Sequence, residues 1–335
     1  NYGTLDNSGY ELTVGYKEQI GDLLVNLSAN ITHTKTVIDD IGDMLQAGTG
    51  RGVSNVCRTQ NGHAVSEFYG YQVDGIYKEA DFVWYKTALK RWKQVAPDAT
   101  GAVVVEGFDV NGNPVTYNTK SSTAAPGQFK YKDINNDGVI NSEDITNIGD
   151  PNPKFTYGFN LNLEYKGFDL SAFFQGSYGN KIFNLLKVNS YTINNGSLNL
   201  SPDLLNGYIP SKWNTSSKLA QPERLSEPQN ENTGIAAIDA VLLPSSFYVE
   251  DGSYLRLKNI QLGYTLPKSL TQKIKIEKLR VYVGAKNLLT FTKYTGFDPE
   301  VGENTTVSNS ILERGFDRGT YPQSKMYLFG MNITF

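Results

Sequence analysis

Strict period-two alternation, sustained over ten or more residues at a time, is the feature that most constrains this chain. In "DLLVNLSANIT", Leu23, Val25, Leu27, Ala29 and Ile31 share one face, while Asn26, Ser28, Asn30 and Thr32 share the other. "TYGFNLNLEY" sets Tyr157, Phe159, Leu161, Leu163 and Tyr165 against Gly158, Asn160, Asn162 and Glu164. "LRVYVGAKNL" opposes Leu279, Val281, Val283 and Ala285 to Arg280, Tyr282, Gly284 and Lys286, and the terminal "MYLFGMNITF" repeats the pattern. Only a β-strand has a side-chain period of two. One apolar and one polar face suit either a soluble sandwich or a barrel with lipid outside and a wet lumen inside. Length favours the barrel, because about ten residues is what a tilted strand needs to cross a bilayer. Tyr16, Tyr157, Tyr165, Phe168, Tyr264, Tyr327 and Phe335 stand at the ends of the apolar faces, as interfacial girdles require.

Composition points the same way. The 335 residues include 32 Gly, 21 Tyr and 16 Phe but only two His and three Met, a balance that favours strands. A net charge of −3 offers no basic field, so nucleic acid is not an expected partner. Cys57 is the single cysteine, which excludes an intrachain disulfide and is expected to be an inert thiol in a loop. No run of 18 apolar residues is present, so no transmembrane helix is expected.

Seven spanning segments are predicted, near residues 7–17, 20–34, 155–165, 168–180, 253–266, 278–290 and 322–335. Some connections are short ("YKEQIGDL", "YKGFDL"), whereas 35–154, 181–247 and the stretch from Phe291 to Pro322 are long. Outer-membrane barrels have this asymmetry, with short periplasmic turns and long extracellular loops. Alternation through the turns places the C-terminus in the periplasm and Asn1 outside. Bacterial barrels have even strand numbers, and an open edge in lipid leaves backbone groups unpaired at several kcal/mol each. The chain is therefore expected to be the C-terminal part of something larger. "EFYGYQVDGIY", from Glu67 to Tyr77, is assigned to the first outside loop, and Trp84 and Trp92 in "DFVWYKTALKRWKQ" are expected on a short amphipathic helix.

Residues 133–144 place oxygen ligands as a calcium loop does. Asp133, Asn135 and Asp137 take positions 1, 3 and 5, with Gly138 at the sharp turn. Val139 offers its carbonyl, Asn141 a direct or water-mediated contact, and Asp144 the closing carboxylate. Asp144 stands where sensor loops carry Glu. The expectation is a structural calcium clip at the outer mouth; an Asx/Gly turn without an ion is the alternative. Among the long loops, Tyr191, Tyr208, Trp213 and Arg224 are candidate ligand contacts, since aromatic faces beside amides suit sugar rings or peptide backbones, although such aromatics also pack loops. No catalytic residues are assigned, and the G-x-x-x-x-G stretches lack the Lys-Ser/Thr of a phosphate loop.

Several blocks together resemble a known family: "FYGYQVDGIY" at Phe68, "YKDINNDGVINSEDITNIGDPNPKFTYGFN" at Tyr131, "YKGFDLSAFFQGSYGNKIFN" at Tyr165, "SFYVEDGSYLRLKNIQLGYTLP" at Ser246, "VYVGAKNLLTFTKYTGFDPE" at Val281 and "YPQSKMYLFGMNITF" at Tyr321. In this order they resemble the C-terminal part of SusC/RagA-type TonB-dependent outer-membrane transporters of Bacteroidetes. The final Phe335 is similar to the C-terminal aromatic read by the barrel assembly machinery. The resemblance implies an all-β fold, the C-terminal part of a large antiparallel barrel of 22 strands, with the plug and early strands lying outside this sequence. It implies import of an oligosaccharide, or else an oligopeptide, with a SusD-like surface lipoprotein over the mouth, TonB acting through the plug, and lipid around the wall. A secreted all-β adhesion or glycan-binding module with a dockerin-like calcium loop is the competing expectation.

Overall fold

The computed structural model describes residues 3–50, 53–76, 82–85, 92–94, 103–108, 114–119, 129–137, 140–191, 201–202, 243–302 and 310–335. In chain order the first strands are β1 (Thr4–Ile20), β2 (Leu23–Asp40), β3 (Leu45–Ala47), β4 (Cys57–Thr59), β5 (Glu67–Gly70) and β6 (Val73–Ile76). Next come β7 (Phe82–Tyr85), β8 (Trp92–Gln94), β9 (Val103–Phe108), β10 (Pro114–Thr119), β11 (Phe129–Tyr131) and β12 (Thr146–Gly149). They are followed by β13 (Phe155–Tyr165), β14 (Phe168–Tyr178), β15 (Lys181–Asn184), β16 (Val249–Asp251) and β17 (Tyr254–Thr265). The last are β18 (Lys278–Thr292), β19 (Phe316–Asp317) and β20 (Met326–Thr334), and two short helices, α1 (Leu185–Ser190) and α2 (Lys268–Thr271), interrupt the series.

Seven strands form one antiparallel meander in the order β1-β2-β13-β14-β17-β18-β20. Its register carries the sequence alternation across the whole sheet. Tyr16 pairs with Leu27, Leu27 with Leu161, Leu161 with Ala172, Ala172 with Ile260, Ile260 with Ala285, and Ala285 with Tyr327. One step along, Lys17, Asn26, Asn162, Ser171, Gln261 and Gly284 form the matching row on the other face. A slip of one residue in any pair would exchange the faces. The apolar face stays open even on interior strands, with Leu262 46% and Val283 50% exposed. In water a band of this size is an aggregation surface; in hydrocarbon it is solvated. A soluble sandwich would bury this face, so the secreted-module expectation is set aside.

Strand lengths fit a bilayer. β13 and β14 have 11 residues each and β17 has 12. β1 and β2, with 17 and 18 residues, extend roughly 55–60 Å along the strand and overrun a hydrocarbon core of about 30 Å. The short turns lie at one edge. Lys166 (φ 45°) and Gly167 (φ 87°) supply the paired positive φ that a two-residue hairpin needs to follow the strand twist. At that end, on the polar face, Arg280 on β18 reaches across β17 to Asp169 on β14, its Nε donating to Oδ1 at 2.9 Å. The pair passes over Gly263, where a Cβ would meet both charged groups.

All three long connections leave the opposite edge. Within the first, β5 and β6 pair with loop strands and stay out of the wall, as expected. One expectation is corrected. Trp84 and Trp92 sit opposite each other in the antiparallel β7–β8 pair, so both lie on strands rather than on an amphipathic helix. "FVWY" is rich in β-branched and aromatic residues, and that strand preference prevails over the helical spacing of its apolar positions.

Candidate functional site

Above the wall, the three long connections share one crown. The first supplies a sheet ordered β12-β5-β4-β3 and the antiparallel pair β6–β11. The second supplies β15 and β16, and the third adds β19, which runs parallel to β15. Their apolar side chains meet in one core: Val53, Val56, Phe68 and Phe129 from the first connection, Phe183, Leu185, Val188 and Tyr248 from the second, and Phe316 from the third. Phe183 lies among them, its ring stacked on Phe316 at 5.3 Å and edge-on to Phe68 at 6.0 Å. Burial of each such ring contributes about 1.5–3 kcal/mol.

Polar seams close the crown. Gly48 N–H donates to Glu313 Oε1 at 3.0 Å, and Arg318 Nη2 meets Glu313 Oε2 at 2.9 Å. Ser66 Oγ donates to the Leu312 carbonyl at 2.7 Å. Glu250 on β16 accepts the Thr295 N–H at 2.9 Å and pairs with Lys187 at 3.6 Å. Cys57 is buried here, and burial above all pushes its thiol up to about 12, which keeps it protonated and unreactive.

The calcium-type loop lies between β11 and β12. A 3-10 turn at Ser142–Asp144 ends it, capped by Asn141, whose side-chain oxygen accepts the Glu143 N–H at 2.7 Å. Asp144 is fully buried. Its two carboxylate oxygens accept the N–H groups of Ile134 and Asn141, each at 2.8 Å. The Asn141 N–H is the largest influence holding this carboxyl below its ordinary range; burial opposes it, and the Ile134 and Asn135 N–H groups add to it. Asn135 accepts from the Asp137 N–H at 3.0 Å and donates to the Asp137 and Glu143 carboxylates at 3.1 Å each. Asp133, Asn135, Asp137, Asn141 and Asp144 thus share one compact turn whose donors are all oxygen, the chemistry a hard cation takes. Val139 lies outside the described residues. Among the described residues, no three Asp, Glu, His or Cys side chains converge as a ready ligand set.

Of the candidate ligand contacts, Tyr208, Trp213 and Arg224 lie outside the described residues. Tyr191 is 7% exposed. It caps α1 through its N–H to the Lys187 carbonyl at 3.2 Å and packs edge-on against Phe247 at 5.2 Å. In this arrangement its ring belongs to the packing of the crown.

The sequence assigned no role to a charge cluster that the structure forms on the polar face of β17. At the outer end of β17, a bulge sets Lys258 opposite Asn287 and Leu288, with Asn287 at φ 51°. Bulges re-aim side chains, and here two cations, Arg256 and Lys258, serve the polar face. Arg256 Nη2 pairs with Asp298 at 2.6 Å, its Nη1 with Glu300 at 3.2 Å, and its Nε donates to Thr290 Oγ1 at 2.8 Å. Lys258 Nζ lies 2.7 Å from Glu300. Both Arg256 and Asp298 are buried. Burial pushes the Asp298 carboxyl up, but the Arg256 hydrogen bond and the N–H groups of Gln323 and Glu300 hold it below the usual range. The third connection is therefore folded inward, onto the polar face of the wall. The available signal was the placing of Tyr254 and Arg256 on the polar side of an otherwise apolar-alternating strand.

No family model matches the chain. TonB-dependent receptor P3 of Formosa agariphila is 32% identical over 346 aligned residues, covering all of this chain and 29% of that protein. TonB-dependent receptor SusC of Bacteroides thetaiotaomicron is 24% identical, again over the whole chain and 27% of its own length. Among solved structures, the RagAB peptide transporter superposes over the full chain and 29% of its own, with a TM-score of 0.64 at 23% identity, a likeness of fold. The chain spans less than a third of the curated relatives it matches.

Proposed function

The chain belongs to the SusC/RagA-type TonB-dependent transporters, and on that premise we propose that it supplies wall and outer mouth to an active importer in the bacterial outer membrane. The observation that carries this reading is the unbroken apolar row from Tyr16 to Tyr327, backed by a polar row and topped by one crown. Lipid solvates the first face and water the second. The long connections lie outside the cell and the C-terminus in the periplasm. A SusD-like lipoprotein covers the crown, and TonB, drawing on the inner-membrane proton gradient, acts on a plug that the rest of the protein provides. The process is transport, with no bond made or broken. An oligosaccharide is the cargo of this reading, with contacts from Tyr208, Trp213 and Arg224. An oligopeptide is the second reading, which the RagAB peptide transporter among the structural neighbours favours. Cells expressing the intact transporter are expected to accumulate labelled oligosaccharide, and to stop when TonB is deleted or an uncoupler is added. Uptake that survives both treatments contradicts active import.

The loop at Asp133–Asp144 is proposed to hold a structural calcium ion. Its all-oxygen donors and inward-turned Asp144 support the assignment, with Val139 contributing its carbonyl. The ion would stiffen the approach to β13, since ligands that bind only the folded state stabilise it. Excess chelator is expected to lower the melting temperature of the intact transporter by several degrees, and added Ca²⁺ to restore it. An unchanged melting temperature, with no calcium found by elemental analysis, would rule the ion out.

A further inference from the structure

On the lipid-facing side of the wall, near the short turns, the sheet forms a groove. Leu23, Leu163, Tyr165, Phe168, Leu170 and Leu262 line it, all apolar or aromatic, around a volume of about 410 Å³. Register sets these side chains on one face: Leu23 pairs with Tyr165, Tyr165 with Phe168, Leu163 with Leu170, and Leu170 with Leu262. They come from β2, β13, β14 and β17, each of which is paired on both sides, so the groove is not the opening of a free edge. The ring of Phe168 is held against Tyr264 at 4.5 Å. A dry apolar groove facing hydrocarbon takes a hydrocarbon chain.

Charge gathers where the groove meets the short turns. Lys166, in the hairpin between β13 and β14, places its Nζ 5.3 Å from the centre of the Tyr165 ring and 3.1 Å from Asp22 in the neighbouring turn. The Gly167 carbonyl accepts the Thr265 N–H at 2.7 Å, which ties this hairpin to the connection between β17 and β18. That connection carries Lys268, Lys273, Lys275 and Lys278, all exposed, against one acid, Glu277. It is fixed at both ends, since the Leu266 N–H donates to the Leu279 carbonyl at 2.9 Å and the Glu277 N–H to the Thr334 carbonyl at 2.8 Å. Leu270, in the same connection, is 55% exposed, and apolar side chains mixed with cations bed into an anionic headgroup layer. Five lysines against Asp22 and Glu277 leave this rim positive, which selects an anionic lipid over a zwitterionic one. We propose that the groove, Lys166 and the lysine-bearing connection form a binding site for an anionic glycerophospholipid. Its phosphate lies against the lysines and one acyl chain along Leu163, Leu170 and Leu262. On the membrane orientation given above, on which this site rests, that lipid belongs to the periplasmic leaflet.

The test uses the intact transporter, purified in detergent and stripped of lipid. It is titrated with phosphatidylglycerol and, separately, with phosphatidylethanolamine, and bound lipid is counted by native mass spectrometry. Phosphatidylglycerol is expected to bind about ten-fold more tightly. In Lys166→Gln/Lys268→Gln/Lys275→Gln the two lipids are expected to bind alike. All three positions are exposed, so the heat-modifiable gel shift of the barrel should not change. Leu262→Trp, which fills the groove, is expected to weaken phosphatidylglycerol binding about ten-fold; Leu262→Phe takes its place if the gel shift is lost. No preference in the parent, or a preference that survives the lysine substitutions, overturns the site. Binding unchanged by filling the groove also overturns it. Displacement of the lipid by glycerol phosphate would reveal a simple anion site and overturn the lipid assignment. Uptake is read separately in cells: TonB-dependent uptake without a lipid preference removes the site and leaves import standing, and a lipid preference without uptake does the reverse.

Discussion

Phe183→Ala is expected to weaken the crown by about 3–5 kcal/mol while leaving the barrel wall assembled. Phe183 is fully buried and touches a ring from each of the other two connections, Phe68 and Phe316, as well as Tyr248 at 5.9 Å. Truncation removes the transfer energy of the ring and leaves a cavity that strands on both sides prevent from collapsing. Phe183→Leu, which keeps most of the volume, is expected to cost much less. The wall has its own continuous antiparallel ladder, so the heat-modifiable shift of the barrel should persist. The measurement is hydrogen exchange of the intact transporter. Amides near Phe68, Val188 and Phe316 should open roughly 100- to several-thousand-fold more often than in the parent. Unchanged protection at these three sites would show that the connections are stabilised separately.

A second large effect is expected at the buried ion cluster. Arg256→Ala leaves the Asp298 and Glu300 carboxylates without their principal cation, and breaking one side of a buried pair costs about 3–5 kcal/mol. The third connection should then detach from the wall, and limited proteolysis should cut between residues 293 and 325. The double variant Arg256→Met/Asp298→Leu removes both charges and should recover much of the loss. If the double variant is as labile as Arg256→Ala, the charges are not what holds the loop. Acid should act in the same direction. Asp298 has its folded value held below the ordinary 3.8, so its contribution is complete above the unfolded value and is lost as pH falls from there through the folded value. Protease resistance of this loop at neutral pH should therefore fade only below about pH 4.

The wall was legible in the sequence because its physics is local. Each spanning strand states its own two faces, as "LLVNLSANIT" and "FTYGFNLNLEY" do, and pairing merely aligns them. Side-chain period also fixed the edges of β13 and β18 closely. The crown was hidden for the opposite reason. Its core is assembled from pieces of three or four residues, such as Glu67–Gly70 and Lys181–Asn184, too short to show a period and far apart in the chain. The Trp84–Trp92 stretch was misread because helical spacing and strand composition overlap in so short a segment. Arg256 and Lys258 drew no expectation from the sequence, and only the bulge at Lys258 and the returning Asp298 reveal a cluster.

The hydrogen bond between Gly48 and Glu313 joins positions 265 apart, and Arg318 reaches the Thr49 carbonyl across 269. Such contacts set an order for folding. The first connection has no finished seat until the third docks, because Glu313, Arg318 and the ring of Phe316 all come from the third. Long-range closure of this kind is slow, and until it occurs Val53, Val56 and Phe68 lack the partners that bury them. Closing the crown is thus the step at which distant parts of the chain first hold one another, and the mouth acquires its shape only then.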